Sequence, residues 1–289
     1  MIKTIFVPMS GTSTDDGVLA TALAVARPLG AHMAFYHVRL STCEAVVRSP
    51  HVQFCPGPAL GGALAHLQEK EDTVSANARH NFEHFCQSNS IPARTNPTAR
   101  REMSAELWEE IDQTDSAFVF HARHHDLIVL ARPHTRDLVS YNLIETVLRN
   151  CGRPVLIGAE GSAPPTLSTI VVGWSENQAA ARALSAAIPL LASAERVVIV
   201  GIDDDDAMSH AMDQVARQLT WHGIQAQVSF AKPRKSSQVA VQLVDTAKNL
   251  GAGLLVVGGY GHLPMREILF GGVTESLIAR AELPVFVMH

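Results

Sequence analysis

Glycines cluster late in the chain at a spacing that suits the binding of phosphate groups. They follow residues 254–257, an apolar run whose β-branched composition is typical of a buried parallel strand. A second glycine pair precedes residues 274–280, which have a helical pattern. Glycines let backbone N–H groups approach a ligand closely, and a helix N-terminus adds unpaired donors and a positive dipole end. The sequence therefore predicts a cradle for nucleotide phosphates, although a glycine-rich turn without a ligand fits the spacing equally well. The candidate residues are Gly258, Gly259, Gly261, His262, Gly271, Gly272, Val273 and Thr274.

The bulk composition excludes several classes of protein. The chain has 289 residues, 47% of them apolar and 18% charged, which is enough for two globular domains. A net charge of −5 is unfavourable for binding nucleic acid, and no apolar stretch reaches the length of a membrane-spanning helix. The four cysteines form no C-x-x-C pair, and residues 2–7 have a strand pattern rather than that of a signal peptide. We therefore expect a cytoplasmic protein with no nucleic acid and no membrane among its partners.

The sequence contains an internal repeat. Residues 4–10 (TIFVPMS) are echoed by residues 169–175 (TIVVGWS), and each copy is followed by an alanine-rich amphipathic helix, over residues 17–29 and 179–191. Further strand patterns recur in the same order in both halves. Strands that alternate with helices indicate a parallel sheet, so we predict two α/β domains, each an open five-stranded parallel sheet with helices on both faces.

The glycines and prolines of residues 158–166 are typical of a linker, which divides the chain into domains 1–158 and 167–289. The first half also carries an extra segment over residues 41–71. Its prolines and glycines predict an irregular insertion before a helix that begins near Asp72.

This combination resembles the universal stress protein family in its tandem, two-domain form, with an adenine-nucleotide α-hydrolase-like fold. In that family, G-x-x-G, nine residues, and then G-S or G-T mark the members that bind ATP. Gly258, Gly261 and Gly271 match this pattern, whereas Gly272 stands at the hydroxyl position. The missing hydroxyl would cost about 0.5–1.5 kcal/mol of binding free energy, which lowers affinity without abolishing a site. The resemblance implies an adenine nucleotide (ATP, ADP or AMP, with or without Mg²⁺) in the second half, and a role as a stress-response sensor or regulator. It also implies that the two domains pack as a pseudo-dimer, with a homodimer as a further option.

The resemblance also indicates where the adenine and ribose would lie. In the family an aspartate follows the first strand near these groups, and here Gly173, Trp174 and Ser175 stand at that point. Trp174 would either stack on the purine or belong to the core. Ile202 ends the second strand, where the family reads the adenine edge through backbone groups. The first half has no glycine in residues 131–149, so we expect no nucleotide there.

Other candidate sites have weaker patterns. His121, His124 and His125 match no structural zinc motif, so the alternatives are a partly hydrogen-bonded cluster or a metal site completed from elsewhere in the chain. Residues 203–206 are four aspartates without metal-binding spacing, which favours a solvated acidic loop. No catalytic signature is present. Besides a nucleotide-binding regulator, two functions stay open: an interaction protein of the same fold, and a weak nucleotide hydrolase.

Overall fold

The structure is a computed structural model. It describes residues 1–47, 49, 52, 58–97, 102–111, 115–133, 138–159, 165–202, 206–231, 239–259, 276–278 and 281–289. Within these residues, no helix combines the length and the hydropathy that crossing a bilayer requires.

Strands and helices alternate through both halves of the chain, as the repeat predicts. The first half contains β1 (Thr4–Met9), α1 (Asp15–Leu29), β2 (His32–Arg39), α2 (Thr42–Val47), α3 (Pro58–Ser88), β3 (Ser104–Ile111), α4 (Asp115–Ala122), β4 (Leu127–Leu130), α5 (Leu138–Asn150) and β5 (Val155–Ile157). The second half contains β6 (Thr169–Trp174), α6 (Gln178–Leu191), β7 (Arg196–Ile202), α7 (Asp206–Thr220), β8 (Ala226–Ala231), α8 (Val239–Asn249), β9 (Leu254–Gly258) and β10 (Val285–Met288).

All ten strands belong to one sheet, in the order β3-β2-β1-β4-β5-β10-β9-β6-β7-β8. Neighbouring strands within each half are parallel, which confirms the five parallel strands predicted for each half, although the two sets form one continuous sheet. The halves are joined where β5 and β10 pair antiparallel, with Leu156 opposite Phe286. Because this pairing reverses the strand direction, the carboxyl ends of the two sets of strands lie at opposite edges of the common sheet.

Helices cover both faces of the sheet, and this burial explains the continuous apolar runs of the inner strands. Every residue of β4 and β5 is buried, as are the first four residues of β9. One core cluster packs α1, α3, α6 and α7 against the first face. The other packs α4, α5 and α8 against the second face. Each cluster contains residues of both halves, so the core continues across the junction between β5 and β10.

The prediction of an irregular insertion over residues 41–71 is wrong for the described part of that segment. Residues 42–47 form α2, and α3 begins at residue 58 and continues without interruption to residue 88. Gly61 and Gly62 lie inside α3, where a Cβ atom would meet nothing within 4 Å. An exposed glycine costs a helix only about 1 kcal/mol relative to alanine, which the alanine, leucine, glutamine and glutamate residues around this pair compensate.

Candidate functional site

The second half has a topological switch point between β6 and β9. From β6 the chain proceeds outward through β7 to β8, then returns to the other side of β6 to form β9 and β10. Open α/β sheets bind ligands outside the carboxyl ends of the strands at such a point, because the connections there diverge and leave a crevice. Gly173 of β6 pairs with Val200 of β7 on one side and Val257 of β9 on the other. The predicted residues at the ends of these three strands therefore share one edge of the sheet.

The end of β9 lies against the start of α6. A Cβ atom on Gly258 would stand 2.4 Å from Ala180 N and 2.6 Å from Ala179 C, both of them backbone atoms. Only glycine allows this contact without displacing the helix. The first glycine of the motif therefore has a packing role, and the N-terminus of α6 lies beside it.

Gly259, the next glycine of the motif, is hydrogen-bonded to the end of β10. Gly259 N donates to Met288 O at 2.8 Å, and His289 Nδ1 lies 3.3 Å from Gly259 O. The N–H of Gly259 is therefore engaged within the protein and is not available to a phosphate. Gly261, His262, Gly271, Gly272, Val273 and Thr274 lie outside the described residues.

Trp174 lies in the core at the end of β6. It is 8% exposed, belongs to the first core cluster, and donates from Nε1 to Glu176 Oε2 at 3.2 Å. A ring buried to this extent has little of its face free to stack on a purine. Ser175 is half-buried, and its hydroxyl accepts from Asn177 Nδ2 at 2.7 Å.

Asn177 is a residue of this region that the sequence analysis missed. It is the N-cap of α6: its backbone is extended, and its Oδ1 accepts from Ala180 N at 2.9 Å. The signal was an asparagine directly before an alanine-rich helix, which is a common cap. The cap fixes the first turn of the helix against which Gly258 packs.

Ile202 ends β7 and is half-buried, paired in register with Ala231 of β8. One residue earlier, a Cβ atom on Gly201 would stand 2.4 Å from Met212 Sδ in α7. The Met212 side chain of α7 therefore packs directly over Gly201. The structure thus brings Gly173, Trp174, Ser175, Ile202, Gly258 and Gly259 to one edge of the sheet.

The corresponding edge of the first half is built differently. Asp15 is buried, and its carboxylate accepts from Ser10 N, Ser10 Oγ and Gly11 N, each at 2.8 Å. Gly11 has φ of +71°, and a Cβ atom there would stand 2.2 Å from Val74 O in α3. The long helix therefore covers the loop that follows β1. Arg132 follows β4 in the sequence, at the position that corresponds to Gly259 in the second half of the repeat.

The histidines at the end of α4 and directly after it are hydrogen-bonded in part. His121 Nε2 lies 3.2 Å from Glu110 Oε2, and the buried His125 contacts His121 O through Nδ1 at 3.1 Å. Burial lowers the pKa of His125, because its charged form would lose its hydration. In the described part of the chain, no three histidine, cysteine or carboxylate side chains stand close enough together to hold a metal ion.

Comparison with known proteins agrees with this architecture. The model of the universal stress protein family matches residues 166–289. A universal stress protein from Archaeoglobus fulgidus is 14% identical, with a TM-score of 0.70 over 99% of this chain and 95% of its own. A putative universal stress protein from Pseudomonas aeruginosa is 15% identical, with a TM-score of 0.54 over 99% of this chain and 93% of its own. None of the curated proteins compared with the chain matches it.

Residues 166–289 therefore match the universal stress protein family, and the whole chain has the fold of the Archaeoglobus fulgidus protein. A shorter universal stress protein solved in complex with cAMP is 21% identical over 42% of this chain and 96% of its own, with a TM-score of 0.35. At that similarity its ligand remains a property of that protein.

Proposed function

We propose that the second half binds an adenine nucleotide (ATP, ADP or AMP) and that the protein acts as a cytoplasmic stress-response sensor or regulator. The observation that carries the proposal is the convergence of three strand ends and the start of α6 at the switch point between β6 and β9. This is where an open α/β sheet binds its ligand. The three described cysteines are free thiols, which supports a reducing compartment such as the cytoplasm.

In this proposal, the phosphate donors come from the backbone between Gly261 and Thr274, because the N–H of Gly259 already bonds to Met288. The N-terminus of α6 adds a positive dipole end beside the cradle. The adenine edge would contact the backbone at Ile202. Mg²⁺, where present, would neutralise part of the phosphate charge.

The alternative is an interaction protein of the same fold whose crevice holds no nucleotide. Two observations favour it: the engaged N–H of Gly259 and the burial of Trp174, each of which removes a contact that a nucleotide would use. A weak nucleotide hydrolase is a third function, which phosphate release over hours above that of buffer would reveal. A homodimer also remains a prediction, and light scattering on the purified protein would test it.

Thermal unfolding with ATP, ADP, AMP or no ligand separates the first two functions. A ligand present at 100 times its dissociation constant raises the free energy of unfolding by about 2.7 kcal/mol. We expect a shift that saturates with concentration and disappears in Gly261→Val. Gly62→Val, on an exposed face of α3, is the matched control and should keep the shift.

A native mass spectrum of freshly purified protein adds a direct readout, since a co-purified nucleotide would appear as added mass. No thermal shift at millimolar nucleotide, together with no added mass, would favour the interaction protein. A shift that persists in Gly261→Val would show that the ligand binds elsewhere.

A further inference from the structure

Arg132 stands at a point where the two halves of the repeat differ in sequence. The strand β4 corresponds to residues 254–257 of β9, so Arg132 occupies the position that Gly259 has in the second half. In the second half this position opens the glycine-rich segment. In the first half it places a long cationic side chain at the junction between the halves.

The guanidinium of Arg132 bonds to backbone carbonyls of three separate segments. Nε donates to Gly158 O at 3.1 Å, directly after β5 of its own half. The other two bonds cross the junction: one terminal nitrogen donates to Ile278 O, and the other donates to Leu283 O at 2.8 Å. Arg132 is 9% exposed. Burying this charge is favourable only because its donors are matched by acceptors.

The two acceptors in the second half are the carbonyls of Ile278, in a helical segment, and of Leu283, in the loop after it. Residues 276–278 are helical and directly follow the predicted motif, and Leu283 precedes β10. Leu277 and Ile278 are buried in the second core cluster. Arg132 belongs to the first half, and its hydrogen bond to the Ile278 carbonyl therefore fixes the backbone that follows the glycine-rich segment of the second half.

We infer that Arg132 is a positioning residue that couples the first half to the nucleotide affinity of the second. The inference rests on the proposed function for its second step, the effect on affinity. The planar guanidinium supplies divergent donors in a fixed fork, which is why it reaches three carbonyls at once. The side-chain contact comes from the first half alone, because Gly259, at the equivalent position of the second half, has no side chain.

The test compares Arg132→Met with Arg123→Met. Arg123 is a matched control, since its guanidinium also donates to a backbone carbonyl, Asn150 O, but within the first half. Hydrogen–deuterium exchange is measured on the nucleotide-free protein for the peptide that contains Ile278 and Leu283. We expect about tenfold faster exchange in Arg132→Met and no change in Arg123→Met, and a rise of about tenfold in the dissociation constant of ATP for Arg132→Met alone.

The outcomes separate the inference from the proposed function. Unchanged exchange in Arg132→Met overturns the inference, and so does faster exchange with unchanged ATP affinity. If the wild-type protein binds no nucleotide, the proposed function fails. In that case faster exchange would support the structural step of the inference, and unchanged exchange would overturn it. Should Arg132→Met fail to fold, Arg132→Lys keeps the charge without the fork, and we expect an intermediate increase in exchange.

Discussion

The packing role of Gly258 leads to a prediction that needs no ligand. In Gly258→Ala, the new methyl group would stand 2.4 Å from Ala180 N and 2.6 Å from Ala179 C, about 1 Å inside normal contact. Both atoms belong to the backbone of the first turn of α6, so relief requires moving the helix or β9. Overpacking a well-packed core costs about 1–3 kcal/mol, and we expect a loss near the upper end because no side-chain rotation can absorb it.

Two further substitutions provide stability changes with which the loss in Gly258→Ala can be compared. In Gly173→Ala the nearest atom is Leu243 Cδ2 at 2.6 Å, the end of a side chain that can rotate, so we expect a loss of about 1 kcal/mol. In Gly62→Ala nothing lies within 4 Å of the new methyl group, and we expect a gain of about 0.5–1 kcal/mol from helix propensity.

Urea unfolding without nucleotide, monitored by circular dichroism, gives the free energy of unfolding of each of the three variants from its midpoint and slope. The reasoning would be refuted if Gly258→Ala were as stable as the wild-type protein, or lost less than Gly173→Ala. Either result would mean that β9 and α6 are not in the contact that the structure shows. The glycine would then be explained by a ligand rather than by packing.

Three other predictions concern buried polar groups. Asp15→Ala leaves two backbone N–H groups of the preceding loop without their acceptor, so urea unfolding should show a loss of about 3 kcal/mol. Because burial lowers the pKa of His125 below its usual value near 6.5, the unfolded chain binds this proton more readily, and stability should fall as the pH drops from 7 to 5. His125→Gln should flatten that pH dependence by up to about 1.4 kcal/mol per pH unit, and an unchanged slope would contradict the assignment. Burial raises the pKa of Cys86 and of Cys151 to about 11, so at pH 8 iodoacetamide should label the exposed Cys43 far faster than either; equal rates in peptide mass spectra would argue against their burial.

The repeat made much of the fold predictable from the sequence. Helices predicted over residues 17–29 and 179–191 occur at Asp15–Leu29 and Gln178–Leu191, because their alanine-rich apolar faces match a period of 3.6 residues. The same reasoning failed for residues 58–71, where glycines were read as loop residues. The alanine, leucine, glutamine and glutamate residues of this segment favour the helix that the structure shows, but its glycines and the prolines before it were given more weight.

The candidate site was predictable only as a position along the chain. The sequence indicated which residues end each strand, and parallel pairing brings these residues to one edge. The packing reason for Gly258 came from its contact with the backbone of α6, and Gly173 and Gly201 lie against the side chains of Leu243 and Met212, all far away in sequence. Such contacts have no local signature, since any of these glycines would also suit a phosphate loop.

By itself, the sequence determined two α/β units and the residues that end their strands, because hydrophobic periodicity and turn residues are local properties. Only the tertiary structure decided how the two units join. The antiparallel pairing of β5 with β10 places the carboxyl ends of the two sets of strands at opposite edges of the sheet, and Arg132 reaches across this junction to the carbonyls of Ile278 and Leu283. The physical reason is that strand pairing and side-chain reach depend on which surfaces meet, and residues more than a hundred positions apart meet only in the folded chain.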